Sequence, residues 1–408
     1  MYRICEWRVW NLNGVKMQIQ TGNSISLCAE AKKKMHTAVN TRLMQHGPLD
    51  GIGRFSFEIL RRVAASNPAD RFTLLFDRRY DPRYLTSPNM EARVVHPPTR
   101  LPFLMDLFFE VGVPLALKKL KPDVFFSPDG WVSMSAKTPT VHVVHDLNFI
   151  HMPEHLPPMW RKYYLKKFPL FIQKAHHVVT VSEFSKRDLM EQLHVPEEKI
   201  SVVYNDTAEG FRPASDEAEA AHIRARHTGG RPYFLFVGLI HPRKNIGGLM
   251  DAFALMKSEK PNDTRLVVAG SKKWWTPELE KKYLENPFRE DIVFTGRLSD
   301  EDLAEIYRGA LALVFPSFFE GFGIPILEAF KSGVPVVTSD LTALPEVGGD
   351  AALYCDPYRP GSIAEQMFTL YSDPALRADC IARGYIQTRK FSWDTGADTV
   401  SRILQRYA

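Results

Sequence analysis

Two doubly wound parallel α/β sheets facing each other across a cleft are the architecture that the sequence predicts, on three observations. Short apolar runs alternate with amphipathic helical stretches through the first half of the 408-residue chain, the pattern of a parallel sheet covered on both faces. A polar stretch from Asn205 to Arg231, with Pro213 and Gly229-Gly230, breaks that pattern, and a second strand and helix series starts at Tyr233. Such a shift in composition marks a crossover between domains. Within the second series an apolar run, residues 310–315, leads into Phe318-Phe319-Glu320-Gly321-Phe322-Gly323-Ile324-Pro325-Ile326-Leu327-Glu328-Ala329, closed by Gly333 and Pro335. That segment reads as strand, glycine loop and helix, with Pro325 in the first turn and Gly333 at the end.

Composition narrows the function classes. A chain of this length holds two or three domains with ample core, and 45% apolar with 24% charged residues is ordinary for a globular protein. No apolar run reaches bilayer-spanning length, and Met1 to Trp10 has arginines without an apolar core, unlike a secretory signal. The net charge of +5 hints at nucleic acid, but residues 1–34 hold six basic and two acidic residues, which leaves about +1 for the rest. A nucleic-acid binder carries its basic face on the folded part, so that class is set aside. Cys5, Cys28, Cys355 and Cys380 have no metal-ligand spacing and read as thiols of a reducing cytoplasm.

Taken in order, residues 1–34 have no periodicity and are expected to form a flexible extension, with the fold starting at Met35. The first domain then spans 35–210. His36 to Asn40 reads as its first strand, a helix follows from Gly51, and Gly51 and Gly53 precede its amphipathic stretch over residues 55–63. Glycines between a first strand and a helix bring backbone amides toward a phosphate. The dinucleotide fingerprint would need a third glycine or alanine where Ser56 stands, although Asp77 imitates its acid. Strand-like runs follow at 93–96, 124–127, 140–145 and 177–181, with helical patterns at 104–120 and 160–174.

Ligands of such sheets gather at the carboxyl ends of the strands, which singles out His145-Asp146; a satisfied core or loop histidine is the other reading. Ser182 suits a helix N-cap with Glu183 in the first turn. Residues 160–174 mix Arg161, Lys162, Lys166 and Lys167 with Tyr163, Tyr164, Leu165 and Phe168. Such a face either touches an anionic membrane surface carrying a lipid acceptor or belongs to an ordinary helix with one core side and one solvated side.

The second domain, 211–392, opens with the strand from Tyr233 to Gly238. Next comes His241-Pro242-Arg243-Lys244-Asn245, where Arg243 and Lys244 can clamp a diphosphate or form a solvated basic pair. Further strand-like runs lie at 265–269, 292–295, 311–315 and 334–338. Ser299 to Asp302 offers a capping box, which makes the acidic run 300–302 a helix start. No D-x-D ends a strand, so the sequence calls for no metal and no cofactor. A last helix, about 393–408, is expected to return to the first domain.

The glycine loop before Ile324 aims free amides, at the positive end of a helix dipole, into the cleft. Glu320 and Glu328 flank that tip and can accept hydrogen bonds from sugar or ribose hydroxyls. Taken singly, Glu328 merely complements the dipole and Glu320 is a solvated loop residue; together with both glycines and the proline they point to a ligand.

The segment from Glu320 to Glu328 resembles the signature E-G-F-G-x-P-x-x-E-A of the retaining glycosyltransferases of family 4, without a substitution. The resemblance implies the GT-B fold and metal-independent, front-face transfer of a hexose from a nucleotide-diphosphate sugar to a glycan or lipid-linked acceptor. It further implies a role in cell-surface polysaccharide synthesis; the expected location is the cytoplasm, with residues 160–174 as the segment that would touch the inner face of the membrane. It gives Glu320 and the loop at Gly321, Phe322, Gly323 and Ile324 to the donor sugar, and Glu328 to the ribose. His145 resembles a histidine that bonds the sugar, and Gly51 and Gly53 resemble the G-G-x-G-R loop, with Asp50 replacing its first glycine. Gly296-Arg297 resembles the nucleobase segment. Lys244 matches the family lysine, whereas the family arginine position holds Leu239, which leaves Arg243 to substitute for it. Three rivals remain: a glycosidase with paired carboxylates, a catalytically silent nucleotide-sugar or carbohydrate-binding protein, and a nicotinamide oxidoreductase.

Overall fold

Runs of three to six mostly apolar residues, rich in Val, Ile, Phe and Leu, form the strands of two parallel sheets, which suits segments buried on both faces. The computed structural model describes residues 9–10, 16–17, 34–47, 49–99 and 101–408. Of the extension expected over 1–34, only Lys34 and two short strands, β1 (Val9–Trp10) and β2 (Lys16–Met17), paired antiparallel, are described. The rest, with Cys5 and Cys28, lies outside the described residues.

The first sheet contains β3 (His36–Asn40), β4 (Arg71–Phe76), β5 (Met90–Val94), β6 (Val124–Ser127), β7 (Thr140–Val144), β8 (His177–Thr180) and β9 (Ile200–Val202). Its strand order is β5-β4-β3-β6-β7-β8-β9. The second contains β10 (Tyr233–Val237), β11 (Arg265–Ala269), β12 (Ile292–Gly296), β13 (Ala312–Phe315), β14 (Val336–Ser339) and β15 (Ala352–Cys355), in the order β12-β11-β10-β13-β14-β15. In each sheet the chain moves outward for three strands and then returns beside its first strand. The resulting switch points, β3/β6 and β10/β13, are where open α/β sheets leave a crevice at their carboxyl ends.

Alternation along β3 sends Val39 into one core layer and Ala38 into the other, as a pleated strand requires. Helices Gly51–Ser66 and Trp393–Gln405 cover one face of the first sheet, held by Phe55 against Trp393 and by Asn67 donating to Ser401 at 3.0 Å. The last helix, although it follows the second sheet in sequence, is therefore packed on the first. The opposite face is covered by Pro102–Leu107, a π-helical turn Phe108–Gly112, Val113–Leu120 and Pro158–Lys174, through Phe108, Phe109, Leu117 and Phe171.

Several elements run beyond their expected limits. The first helix starts at Gly51, where the sequence places its beginning, because Asp50 caps it, and it runs to Ser66, three residues past the expected amphipathic stretch 55–63. Strands β9 and β15 had no expectation at all; they are only partly buried, so they lack the fully buried run that distinguishes short strands such as β6 and β13. Cys355 and Cys380 are buried and unpaired.

Candidate active site

Gly238, just after β10, takes φ 147°, and the chain then turns through the short 3-10 helix Pro242–Lys244. That turn aims Arg243 and Lys244 at the loop following β13. Glu320, 6% exposed, accepts from Arg243 Nη1 at 2.8 Å and from Lys244 Nζ. Arg243 also donates to the Phe319 carbonyl at 2.9 Å. The Glu320 amide donates to Thr342 Oγ1 at 3.1 Å, which fixes the loop behind it.

Burial alone would raise the Glu320 carboxyl, but the two cations outweigh it and hold its pKa down at about 2. Burial pushes Lys244 down to about 8 against the opposing charge of Glu320. Its ammonium lies 4.6 Å from the centroid of the Phe315 ring. Leu239, in the position of the family arginine, is a partly exposed leucine, whereas Arg243 reaches the glutamate.

Gly323 adopts φ 119° as the N-cap of helix Ile324–Lys331, and no side chain caps this helix. Pro325 has no N–H and the Ile326 amide already donates to the Gly323 carbonyl at 3.0 Å, which leaves the Ile324 amide at this tip for an acceptor. Ile324 Cδ1 lies 3.8 Å from the position of a Cβ on Gly51, so the helix tip and the first-domain glycine turn face each other directly. Gly53 differs from expectation in one respect: its N–H already donates to Asp50 at 2.8 Å.

Gly321 touches the first domain so closely that a Cβ there would overlap the His145 carbonyl. Its own carbonyl accepts from Ser182 Oγ at 2.7 Å and Ser185 Oγ at 3.2 Å. These contacts seat the end of β7 over the cations, where the Asp146 charge adds to the larger one of Glu320 in favouring both charged forms, although burial still keeps Lys244 below its ordinary value. The His145 ring bonds the Pro128 carbonyl through Nε2 at 2.8 Å, which fixes the proton on that nitrogen and leaves Nδ1 as an acceptor. Burial lowers its pKa, which keeps the ring neutral.

Glu328, 9% exposed, has a different environment. Tyr307 donates to it at 2.9 Å, and burial raises its pKa to about 7 because no cation is paired with it. Arg54 lowers it by charge and Asp300 opposes that; these two residues form a 2.5 Å ion pair across the domains. Gly296, at φ 71°, and Arg297 end β12, two strands out from β10, beside the helix Asp300–Arg308 that carries Tyr307.

The structure thus gathers Glu320, Arg243, Lys244, Gly51, Gly321, Gly323, Ile324 and His145 at the facing switch points. Glu328 lies one turn into the helix, and Gly296-Arg297 lie at the outer side. The Phe322 ring points into the core against Phe391 and Tyr204, so only its backbone is left for a ligand. Sequence reasoning missed Tyr307 and Thr342, and it gave no site role to Arg54, the arginine of the G-G-x-G-R resemblance, or to Asp300, read as a helix start. No local pattern shows their contacts, since each acts through a residue at least 21 positions away.

The profile of the glycosyl transferases group 1 matches residues 218–387, and that of Glycosyltransferase Family 4 matches residues 49–205. O-antigen chain mannosyltransferase B of Escherichia coli is 29% identical over 358 residues, 85% of this chain and 93% of that protein. Among solved structures, sucrose-phosphate synthase of Thermosynechococcus elongatus superposes with a TM-score of 0.76 at 18% identity, covering 91% of this chain and 99% of that one. Anabaena HepE in complex with UDP-glucose does so at 0.72 and 17%, covering 91% and 100%.

Proposed function

Since the chain belongs to the group 1, family 4 glycosyltransferases, with the two parallel sheets of the GT-B fold, we propose that it transfers a hexose with retention of configuration and without a metal. The donor is a nucleotide-diphosphate sugar and the acceptor a glycan or lipid-linked glycan of a cell-surface polysaccharide. The observation that carries this reading is the contact of Glu320 with Arg243 and Lys244 under the uncapped helix tip of Ile324, opposite Gly51 and His145.

In this reading the diphosphate lies against Arg243, Lys244 and the helix tip, which meet the negative charge that grows on it as the anomeric bond breaks. The acceptor hydroxyl attacks the same face of the sugar and gives its proton to the departing phosphate oxygen. Glu320 and the neutral His145 ring hold the sugar hydroxyls, Glu328 accepts from the ribose, and Gly296-Arg297 face the base. Retention rests on the family resemblance; metal independence rests on the cations and dipole that can carry the charge. Mannose is the first sugar to test, because the Escherichia coli relative is named a mannosyltransferase. HepE was solved with UDP-glucose, so UDP-linked sugars belong in the same panel.

The test is incubation with UDP- and GDP-linked hexoses and a glycan acceptor, reading nucleoside diphosphate release and the anomeric proton of the product. Acceptor-dependent release from one donor with the donor's anomeric configuration kept is expected. Nucleotide-sugar binding with no turnover on any acceptor would leave a silent binding protein instead.

A further inference from the structure

Fourteen large apolar side chains are exposed among the described residues, and eight of them lie on two neighbouring helical segments of the first domain, 101–120 and 158–174. On the first segment Phe103, Leu107, Val111 and Leu115 are exposed at every fourth position. That spacing sets them along one side of a helix, while Met105, Phe109, Val113 and Leu117 fill the core beneath. Phe103 is 65% exposed, Leu115 62% and Met159 59%. A contiguous apolar stripe of this kind marks an interaction surface rather than scattered surface residues.

The charges beside the stripe are of one sign. Residues 158–174 contain Arg161, Lys162, Lys166, Lys167 and Lys174 and no acid, and Lys118, Lys119 and Lys121 close the first segment. The two acids of the first segment are engaged within the protein. Asp106 accepts from Tyr163 at 2.6 Å and pairs with Lys167 at 3.2 Å. Glu110 accepts from the amides of Met134 and Ser135 at 2.9 and 3.0 Å. Asp106 also ties the two helical segments to each other, so stripe and cations form one surface.

We propose that this surface docks on an anionic lipid bilayer, with the apolar stripe entering the headgroup boundary and the lysines and arginines meeting lipid phosphates. An amphipathic face with aromatic and aliphatic residues on one side and cations on the other has the chemistry of an interfacial helix. No helix of the described residues is long and apolar enough to cross a membrane, so the contact is peripheral. The surface also borders the cleft. The His155 ring, three residues before Pro158, lies 5.8 Å from the ring of His241, which caps the turn carrying Arg243 and Lys244. A lipid-linked acceptor held in the bilayer is thereby brought to the mouth of the cleft. The docking itself is independent of the glycosyl transfer chemistry.

Flotation of the full chain with vesicles of phosphatidylcholine alone, and with vesicles enriched in phosphatidylglycerol, tests the proposal. The protein should float with the anionic vesicles only, and added salt should release it. Reversing three charges (Arg161→Glu, Lys162→Glu, Lys166→Glu) should weaken binding on the order of 100-fold. The pair Phe103→Ser and Leu115→Ser should weaken it at least tenfold, with melting temperature and nucleotide binding unchanged in both variants. Failure of the wild type to float, or equal flotation by all three proteins, would overturn docking. So would a monomer–dimer equilibrium in vesicle-free buffer that these substitutions abolish, since the occupant would then be a second copy of the chain. Because nucleotide binding is read separately, none of these outcomes bears on the donor site.

Discussion

Glu320 and Glu328 lie on one loop and helix, both almost fully buried, and their surroundings drive them in opposite directions. Glu320 is matched by Arg243 and Lys244 and held at about 2; Glu328 has only the Tyr307 hydroxyl and a remote, cancelling Arg54–Asp300 pair, and burial lifts it to about 7. A carboxylate fully matched by cations is always charged and fixes geometry. One that lacks a cation stays largely protonated below about pH 7, and a ligand that supplies donors shifts it toward the ionised form. The first suits a group that orients the reacting sugar and its phosphate, and the second a group that closes on ribose hydroxyls.

The largest expected effect comes from breaking the matched side. Glu320→Ala should lower kcat on the order of 100- to 1,000-fold and also cost about 3 kcal/mol of stability, because it leaves two enclosed cations without a counter-charge. Steady-state kinetics and urea unfolding check both, and a variant of full activity would erase the distinction drawn here. Lys244→Ala should raise the dissociation constant for the diphosphate donor about 10- to 100-fold while leaving nucleoside binding alone. Equal losses for both ligands, measured by calorimetry, would mean that Lys244 does not meet phosphate.

The unmatched side has its own pH signature. The folded pKa of Glu328 is raised above its ordinary value of 4.5 to about 7. Its contribution to stability is therefore fully present below pH 4.5 and is lost as the pH rises through 7. Glu328→Gln should raise the melting temperature at about pH 8 and leave it unchanged at about pH 5, although it weakens nucleotide binding. Thermal unfolding at the two pH values decides this. The smallest effect belongs to Tyr307→Phe: with its hydrogen-bond donor gone, Glu328 moves further up, and the pH midpoint of nucleotide binding should follow. The lost bond should cost about 1 kcal/mol.

Local chemistry was legible in the sequence. The glycines at 321 and 323 and Pro325 marked the loop and the helix that starts at Ile324, and β3 occupies the expected residues 36–40. Ser182 caps its helix by accepting from the Ser185 amide, as its position before Glu183 suggested. Contacts between distant segments were not legible. That Gly321 is required by the His145 carbonyl depends on how two sheets meet, and no periodicity records it. The same holds for Glu346, whose carboxylate accepts from the Glu183 and Phe184 amides at 2.8 and 3.0 Å across the domains. The phenylalanines of the glutamate loop look alike in sequence, yet Phe322 is turned into the core by Phe391, 69 residues further on.

The account depends most on Glu328 being a carboxyl that ionises as the nucleotide seats. Calorimetry of UDP and GDP binding at about pH 6.5, in buffers of different ionisation enthalpy, measures the protons exchanged. The account predicts that the wild type releases more protons than Glu328→Gln, with the difference vanishing at about pH 9. Identical proton exchange by the two proteins at the lower pH, with nucleotide bound equally well by both, would contradict it.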